Sequence, residues 1–177
     1  MASSGDLRLK ACGISVKERV SAPTWFLNEK SDVRSSFFLE EVATEFDIQG
    51  LEIDWTCVAW DANLRHDGKV WCFKEFKGTA WRDINKPEAR LYLKNAYRVL
   101  LTRARQGMVI FVPEGDANDP TRLPEFYDKT YAYLLALGIA ELYESNIPEE
   151  SYRFRLPPPV ISRPGALQET EESPVLL

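Results

Sequence analysis

Two short runs of this chain set phosphate-handling side chains at the mouths of apolar segments. Gln49-Gly50-Leu51-Glu52 stands just ahead of Trp55-Thr56-Cys57-Val58-Ala59-Trp60, and Thr102-Arg103-Ala104-Arg105 ahead of Met108-Val109-Ile110-Phe111-Val112. A guanidinium held at such a junction can stabilise, bidentately, the charge that develops on γ-phosphate oxygens, an effect worth roughly 10³ to 10⁵ in rate where it operates. A glycine at a strand mouth lets backbone approach a ligand closely, and Glu52 can accept from a ribose hydroxyl or organise a neighbouring arginine. Each feature also has a plain structural reading. Arg103 at a helix end can serve the macrodipole as a C-terminal cation, a role that suits Arg98 and Arg105 better, and the glycine turn can be a tight turn with a solvated carboxylate. If the two apolar runs are parallel strands, these polar groups line one rim of a sheet, and open α/β sheets bind ligands at a rim. No G-x-x-x-x-G-K-[ST] phosphate loop occurs in the sequence, so half of a nucleotide site would be missing.

The other chemistry-bearing residues are weaker. His66 has no second histidine to pair with and sits in a polar stretch, which predicts a solvated side chain. Asp116, Asp119 and Asp128 resemble a carboxylate cluster, but Gly-Asp and Asp-Pro contexts are ordinary turn chemistry, so no metal site is assigned. Trp71, Phe73, Phe76 and Trp81 could stack on bases; packing a hairpin onto the domain is the favoured reading. Cys12, Cys57 and Cys72 are odd in number and widely spaced, which predicts no disulfide framework and no zinc site. Cys57 and Cys72 fall in apolar runs and read as buried, reduced thiols.

The elements that must position these groups follow from periodicity. Trp25-Phe26-Leu27 reads as a docking anchor. Val33, Phe37, Phe38, Val42 and Phe46 fit one helical face over 32–45, with Asp32 as cap. Leu51 to Trp60 reads as a buried strand and Val70 to Gly78, entered through Asp67-Gly68, as an inserted hairpin. Pro87 opens the clearest helix, with Leu91, Asn95 and Val99 at intervals of four. That helix reads as Pro87 to Arg103, with Gly107 ending the unit; Met108 to Val112 reads as a central strand and Glu125 to Leu142 as a last helix. The order helix, strand, hairpin, helix, strand, helix predicts a piece of an α/β sheet, small or incomplete for the chain's length.

Composition bounds the function. The 177 residues are 45% apolar and include 5 Trp, 9 Phe and 7 Tyr, enough for a sizeable core over 1–150. From 151 to 177 the chain is rich in Pro with Glu169, Glu171 and Glu172, which predicts a flexible tail. A net charge of −5 argues against unaided tight nucleic-acid binding and leaves a local basic rim at Arg98, Arg103 and Arg105. No signal-peptide core and no run of 18 apolar residues occurs, so the expectation is a cytoplasmic protein without a membrane partner.

Glu45-Phe46-Asp47-Ile48-Gln49-Gly50-Leu51-Glu52-Ile53-Asp54-Trp55, followed by Tyr92 through Pro113 with the core Leu101-Thr102-Arg103-Ala104-Arg105-Gln106-Gly107, resembles the Schlafen group 3-like DNA/RNA helicase domain. This is a superfamily 1 helicase-like group of phosphate-loop NTPases, and the resemblance runs from about Ser3 to Gly138. It implies an incomplete second RecA-like domain, beginning just after that domain's first strand. It also implies Arg103 as the arginine finger, with Gln49, Gly50 and Glu52 as fifth-motif nucleotide contacts and Thr102 and Arg105 secondary; Thr44 also fits the fifth motif. Where many superfamily 1 members carry histidine this chain has Phe46. ATP and Mg²⁺ are implied only together with a phosphate-loop RecA-like domain as partner, with DNA or RNA bound weakly. The chain alone is expected to lack ATPase activity. The alternative is a protein-interaction module that keeps the helicase-derived fold without motor function.

Overall fold

A computed structural model describes residues 1–5, 8–16 and 20–142 and the backbone of 160–162. The elements are a 3-10 turn (Leu9–Cys12), α1 (Ala22–Leu27), β1 (Ile53–Ala59), β2 (Leu64–His66), β3 (Trp71–Lys77), β4 (Ala80–Asp83), α2 (Pro87–Leu101), β5 (Ala104–Phe111), α3 (Glu125–Ala136), β6 (Ala140–Glu141) and β7 (Val160–Ser162). The protein is mixed α/β, as its sequence predicts. A parallel sheet has the order β1-β5-β7-β6, and an antiparallel sheet the order β2-β3-β4, so the expected hairpin gains a third strand. Ala2 is bridged in parallel to both Thr44 and Ala59, which puts the first residues in a strand position rather than after one. Of the tail expected over 151–177, Val160–Ser162 form β7 between β5 and β6; its other residues lie outside the described ones.

The crossover helix α2 organises the core. Pro87 suits a first turn, where its missing N–H costs nothing. Leu93, Ala96, Tyr97 and Leu100 form the buried stripe. The stripe read from sequence through Leu91, Asn95 and Val99 is one row over, and Leu91 is 58% exposed. Leu93 and Tyr97 pack with Trp60, Ile110, Val112, Tyr127 and Leu134, while Leu100 joins Trp25, Ala43, Ile48 and Val58. Trp25 is thus the anchor its sequence suggests. Trp71, Phe73 and Trp81 pack against the first of these clusters, as hairpin packing requires.

Several expectations fail for identifiable reasons. No helix forms over 32–45. Asp32 accepts from the Arg34 backbone N–H at 2.9 Å and from the Arg34 guanidinium and Asn28 amide, turning the chain locally. Ser36 N donates to the Trp25 carbonyl and the Trp25 indole to the Glu41 carbonyl, so the segment wraps the tryptophan. Phe37, Phe38 and Leu39 are left exposed. Gly107 does not close the unit that begins at Pro87; it lies inside β5, where a Cβ would run into the Trp55 ring that packs over it. Cys57 alternates to the exposed side of β1 instead of being buried. The last helix stops at Ala136 rather than 142, with Gly138 at φ 85 just beyond.

Candidate functional site

Helix α2 runs against the direction of β1 and β5, so its C-terminal end delivers Thr102 and Arg103 to the amino end of the parallel sheet. Leaving the helix, Thr102 caps it: its N–H reaches the Val99 carbonyl at 3.2 Å and its hydroxyl the Arg98 carbonyl at 2.7 Å. The chain then enters β5, whose pairing with β1 sets Ala104 beside Ile53. Ile53 N donates to the Arg103 carbonyl at 3.0 Å, which joins the two sequence runs directly. Across that joint Arg105 Nε lies 3.7 Å from Glu52 Oε2, with both side chains largely exposed. An exposed pair of this length contributes little to stability.

Six residues were singled out from sequence. Glu52, Thr102, Arg103 and Arg105 come together along this amino rim, and Gln49 and Gly50 form the turn that leads into it. Gly50 adopts φ 86, and a Cβ there would meet nothing within 4 Å. Glycine is therefore required by backbone conformation, not by the close approach of another group. The Thr102 hydroxyl is committed to the helix end. Arg103 differs from the others: it is half-buried, and its Nε is sealed from solvent without a hydrogen-bond partner among the described residues. A buried guanidinium nitrogen left in that state costs free energy that an oxygen acceptor would recover. The rim therefore offers two guanidinium groups that can donate to phosphate oxygens and a carboxylate that can accept from a ribose hydroxyl.

The opposite, carboxyl rim carries residues that sequence reasoning passed over. Tyr97 OH donates to Asn63 Oδ1 at 2.7 Å and accepts from the Asp61 N–H at 3.1 Å, and the Asn63 amide reaches Ser3. Asp61, Asn63 and Ser3 are all buried. Glu45, also buried, accepts from Ser4 N at 2.7 Å, from the Ser4 hydroxyl and from Tyr92 OH at 3.0 Å. Burial pushes the Tyr92 phenol up. Thr44 closes on Asp47, its N–H and hydroxyl both donating to Oδ2. The one available signal was four polar residues (Asp61, Asn63, Arg65, His66) among apolar ones directly after a strand.

His66 is not solvated. It is buried on β2, with its ring stacked on Tyr133 at 4.2 Å and Nδ1 accepting from Gly68 N. Next to it Arg65 lies between the rings of Phe126, 3.8 Å from its centroid, and Trp81, and burial lowers its pKa. Asp116 and Asp119 both face the Arg122 guanidinium, and Asp119 also holds Arg8 at 3.0 Å. Hydrogen bonds from Thr121, then from Arg122, keep the Asp119 carboxyl well below the usual carboxylate range. These carboxylates tie a loop to the N-terminal segment, and among the described residues no group of three His, Cys, Asp or Glu could hold a metal ion. No helix of the described residues is long and apolar enough to cross a membrane.

One known family has a model that spans both runs. The family model described as Schlafen group 3, DNA/RNA helicase domain, matches residues 4–114, a span that contains both runs and the whole of α2 and β5. No curated protein and no solved structure matches the chain.

Proposed function

Because the chain belongs to the Schlafen group 3 DNA/RNA helicase domain family, matched over residues 4–114 of its 177, we propose that it acts as the C-terminal, RecA-like half of a superfamily 1 helicase-like ATPase. Its part is to present the amino rim to an ATP site whose phosphate loop another domain supplies. The observation that carries this reading is the state of Arg103: backbone pinned to β1 at 3.0 Å, side chain half-buried, Nε without a partner. A guanidinium so held is poised for an anion that none of the described residues provides. Arg103 is the finger toward γ-phosphate charge, Arg105 a second phosphate contact oriented by Glu52, and Gln49 and Gly50 shape the turn beside them. The Thr102 hydroxyl, spent on the helix end, supports Arg103 by fixing where the helix stops. ATP supplies the phosphoryl group when bound; Mg²⁺ ligands are assigned to the other domain.

The isolated chain should hydrolyse no ATP above a buffer blank, even with nucleic acid and Mg²⁺. Adding a phosphate-loop domain that binds it should restore turnover. Arg103→Ala should then lower kcat by roughly 10³ or more while leaving association intact, and Arg103→Lys should rescue poorly, since an ammonium lacks the planar fork. Full activity in Arg103→Ala would reduce that residue to a helix-end cation.

A second reading, a protein-interaction module without motor function, draws on one observation. Phe37, Phe38 and Leu39 are 59%, 44% and 80% exposed, and Leu39 holds φ 59, an uncommon conformation for a leucine. Under that reading Phe37→Ser with Leu39→Ser abolishes partner capture, while no added domain restores ATPase activity.

A further inference from the structure

Helix α2 carries a second pattern that the amino rim does not use. Lys86, Arg90, Lys94 and Arg98 recur every four residues, and all four are exposed. None of them forms an ion pair among the described residues. Arg90 donates through Nε to the Ile84 carbonyl at 2.5 Å, which steadies the side chain, and after Lys74 its charge also helps hold the nearby Asp83 carboxyl below its ordinary value. At ~1.5 Å per residue the row is ~18 Å long with a cation about every 6 Å, winding along one flank because an interval of four drifts ~40° around a helix. In a chain of net charge −5 such a row is not a by-product of general basicity.

Helix stability accounts for Arg98, a cation in the last turn, but not for Lys86 and Arg90 at the other end. Cations in a first turn oppose the macrodipole. Lys86 occupies the N-cap position and makes no side-chain cap, where Asp, Asn or Ser would serve better. We infer that this flank of α2 is a docking track for the phosphate backbone of a nucleic-acid strand, separate from Arg103 and Arg105 and engaged without nucleotide or a second domain. The row spans about five nucleotides at ~3.4 Å rise per strand. Evenly spaced single charges, with Leu91 as the neighbouring exposed apolar residue, suit a repeating polyanion better than an acidic peptide, which needs buried anchors.

Fluorescence anisotropy of the full chain with a labelled oligothymidylate of about 20 nucleotides, across roughly 50 to 200 mM salt, tests this. Wild type should bind with a log–log salt slope near −3, at ~0.7 per phosphate contact on a single strand. Lys94→Ala with Arg98→Ala should shrink that slope by about 1.4, whereas Lys129→Ala on α3 should leave it unchanged. Lys86→Asp should weaken binding and at the same time raise the melting temperature by ~2 °C or more, because it installs a cap and a favourable charge. That opposition of signs rules out loss of binding through unfolding. Equal slopes for the row variants and Lys129→Ala, no binding by wild type, or equally tight binding of polyglutamate would each overturn the inference, the last by placing an acidic protein on the row. The measurement uses no ATP, so its failure leaves the nucleotide-site reading standing, and a failed ATPase reconstitution leaves this one standing.

Discussion

The two ends of the parallel sheet are built on opposite terms. At the carboxyl rim Asp61, Asn63, Tyr97 and Ser3 are buried and joined by hydrogen bonds, and the hairpin sheet and α3 close over the adjoining core. At the amino rim Glu52, Thr102 and Arg105 stand in solvent, linked by one 3.7 Å ion pair, and Arg103 keeps a sealed nitrogen without an acceptor. Open α/β sheets usually bind at the carboxyl ends of their strands. Here the chain's own hairpin and side chains occupy that end. Binding capacity is left at the other, where Glu52, Thr102 and Arg105 are exposed among the described residues, and a nucleotide there would need a second surface to cover it.

The largest effect that would sharpen this contrast is at Tyr97. Tyr97→Ala should lower the unfolding free energy by about 3–5 kcal/mol in urea titration, since it empties the centre of the core and strands the Asp61 N–H and Asn63. Arg103→Ala in the isolated chain should shift it by no more than ~0.5 kcal/mol, as it removes an unsatisfied group with no partner to strand. Equal losses at the two positions would break the contrast. Next in size is Glu45→Gln, expected to cost about 1–3 kcal/mol, because one of its three donors would then face an amide N–H₂. An unchanged urea midpoint would show that the Ser4–Glu45–Tyr92 contact is decorative.

Gly107→Ala should cost ~1 kcal/mol, limited by the freedom of the half-exposed Trp55 ring to swing aside. The same substitution in a Trp55→Ala background should cost measurably less, and additivity of the two would mean that the ring does not rest on Gly107. The smallest expected effect is acid sensitivity. The folded Asp119 carboxyl lies below its ordinary value of 3.8, so its contribution is complete above that pH and is lost as pH falls below it, where the unfolded chain takes up the proton first. Melting curves of Asp119→Asn should therefore show a shallower loss of stability below pH 3.8 than wild type. Parallel curves would remove Asp119 from the acid limb.

How much could be read in advance depended on how local each cause was. The strand at 53–59, the apolar part of β5 at 108–111, the helix from Pro87 and its family motifs follow from runs of apolar residues, a first-turn proline and a contiguous signature, all visible within a few neighbours. From the sequence only Arg98 was grouped, with Arg103 and Arg105; the row of four cations on α2 emerged once the helix's orientation placed them all outward. Other features answer to partners far along the sequence. The segment 32–45 has a helical apolar spacing yet wraps Trp25, since turn-forming Asp and Ser residues and a tryptophan ring outbid weak helix propensity. His66 is buried because α3, more than 60 residues later, supplies Thr130 and Tyr133 to cover it. Gly107 sits within a strand because Trp55 lies on its parallel neighbour. By itself the sequence determined the fold class, the crossover helix and the two motif runs. Only tertiary structure decided which rim was filled and which was left open, because burial and hydrogen-bond satisfaction depend on contacts between elements that periodicity does not encode.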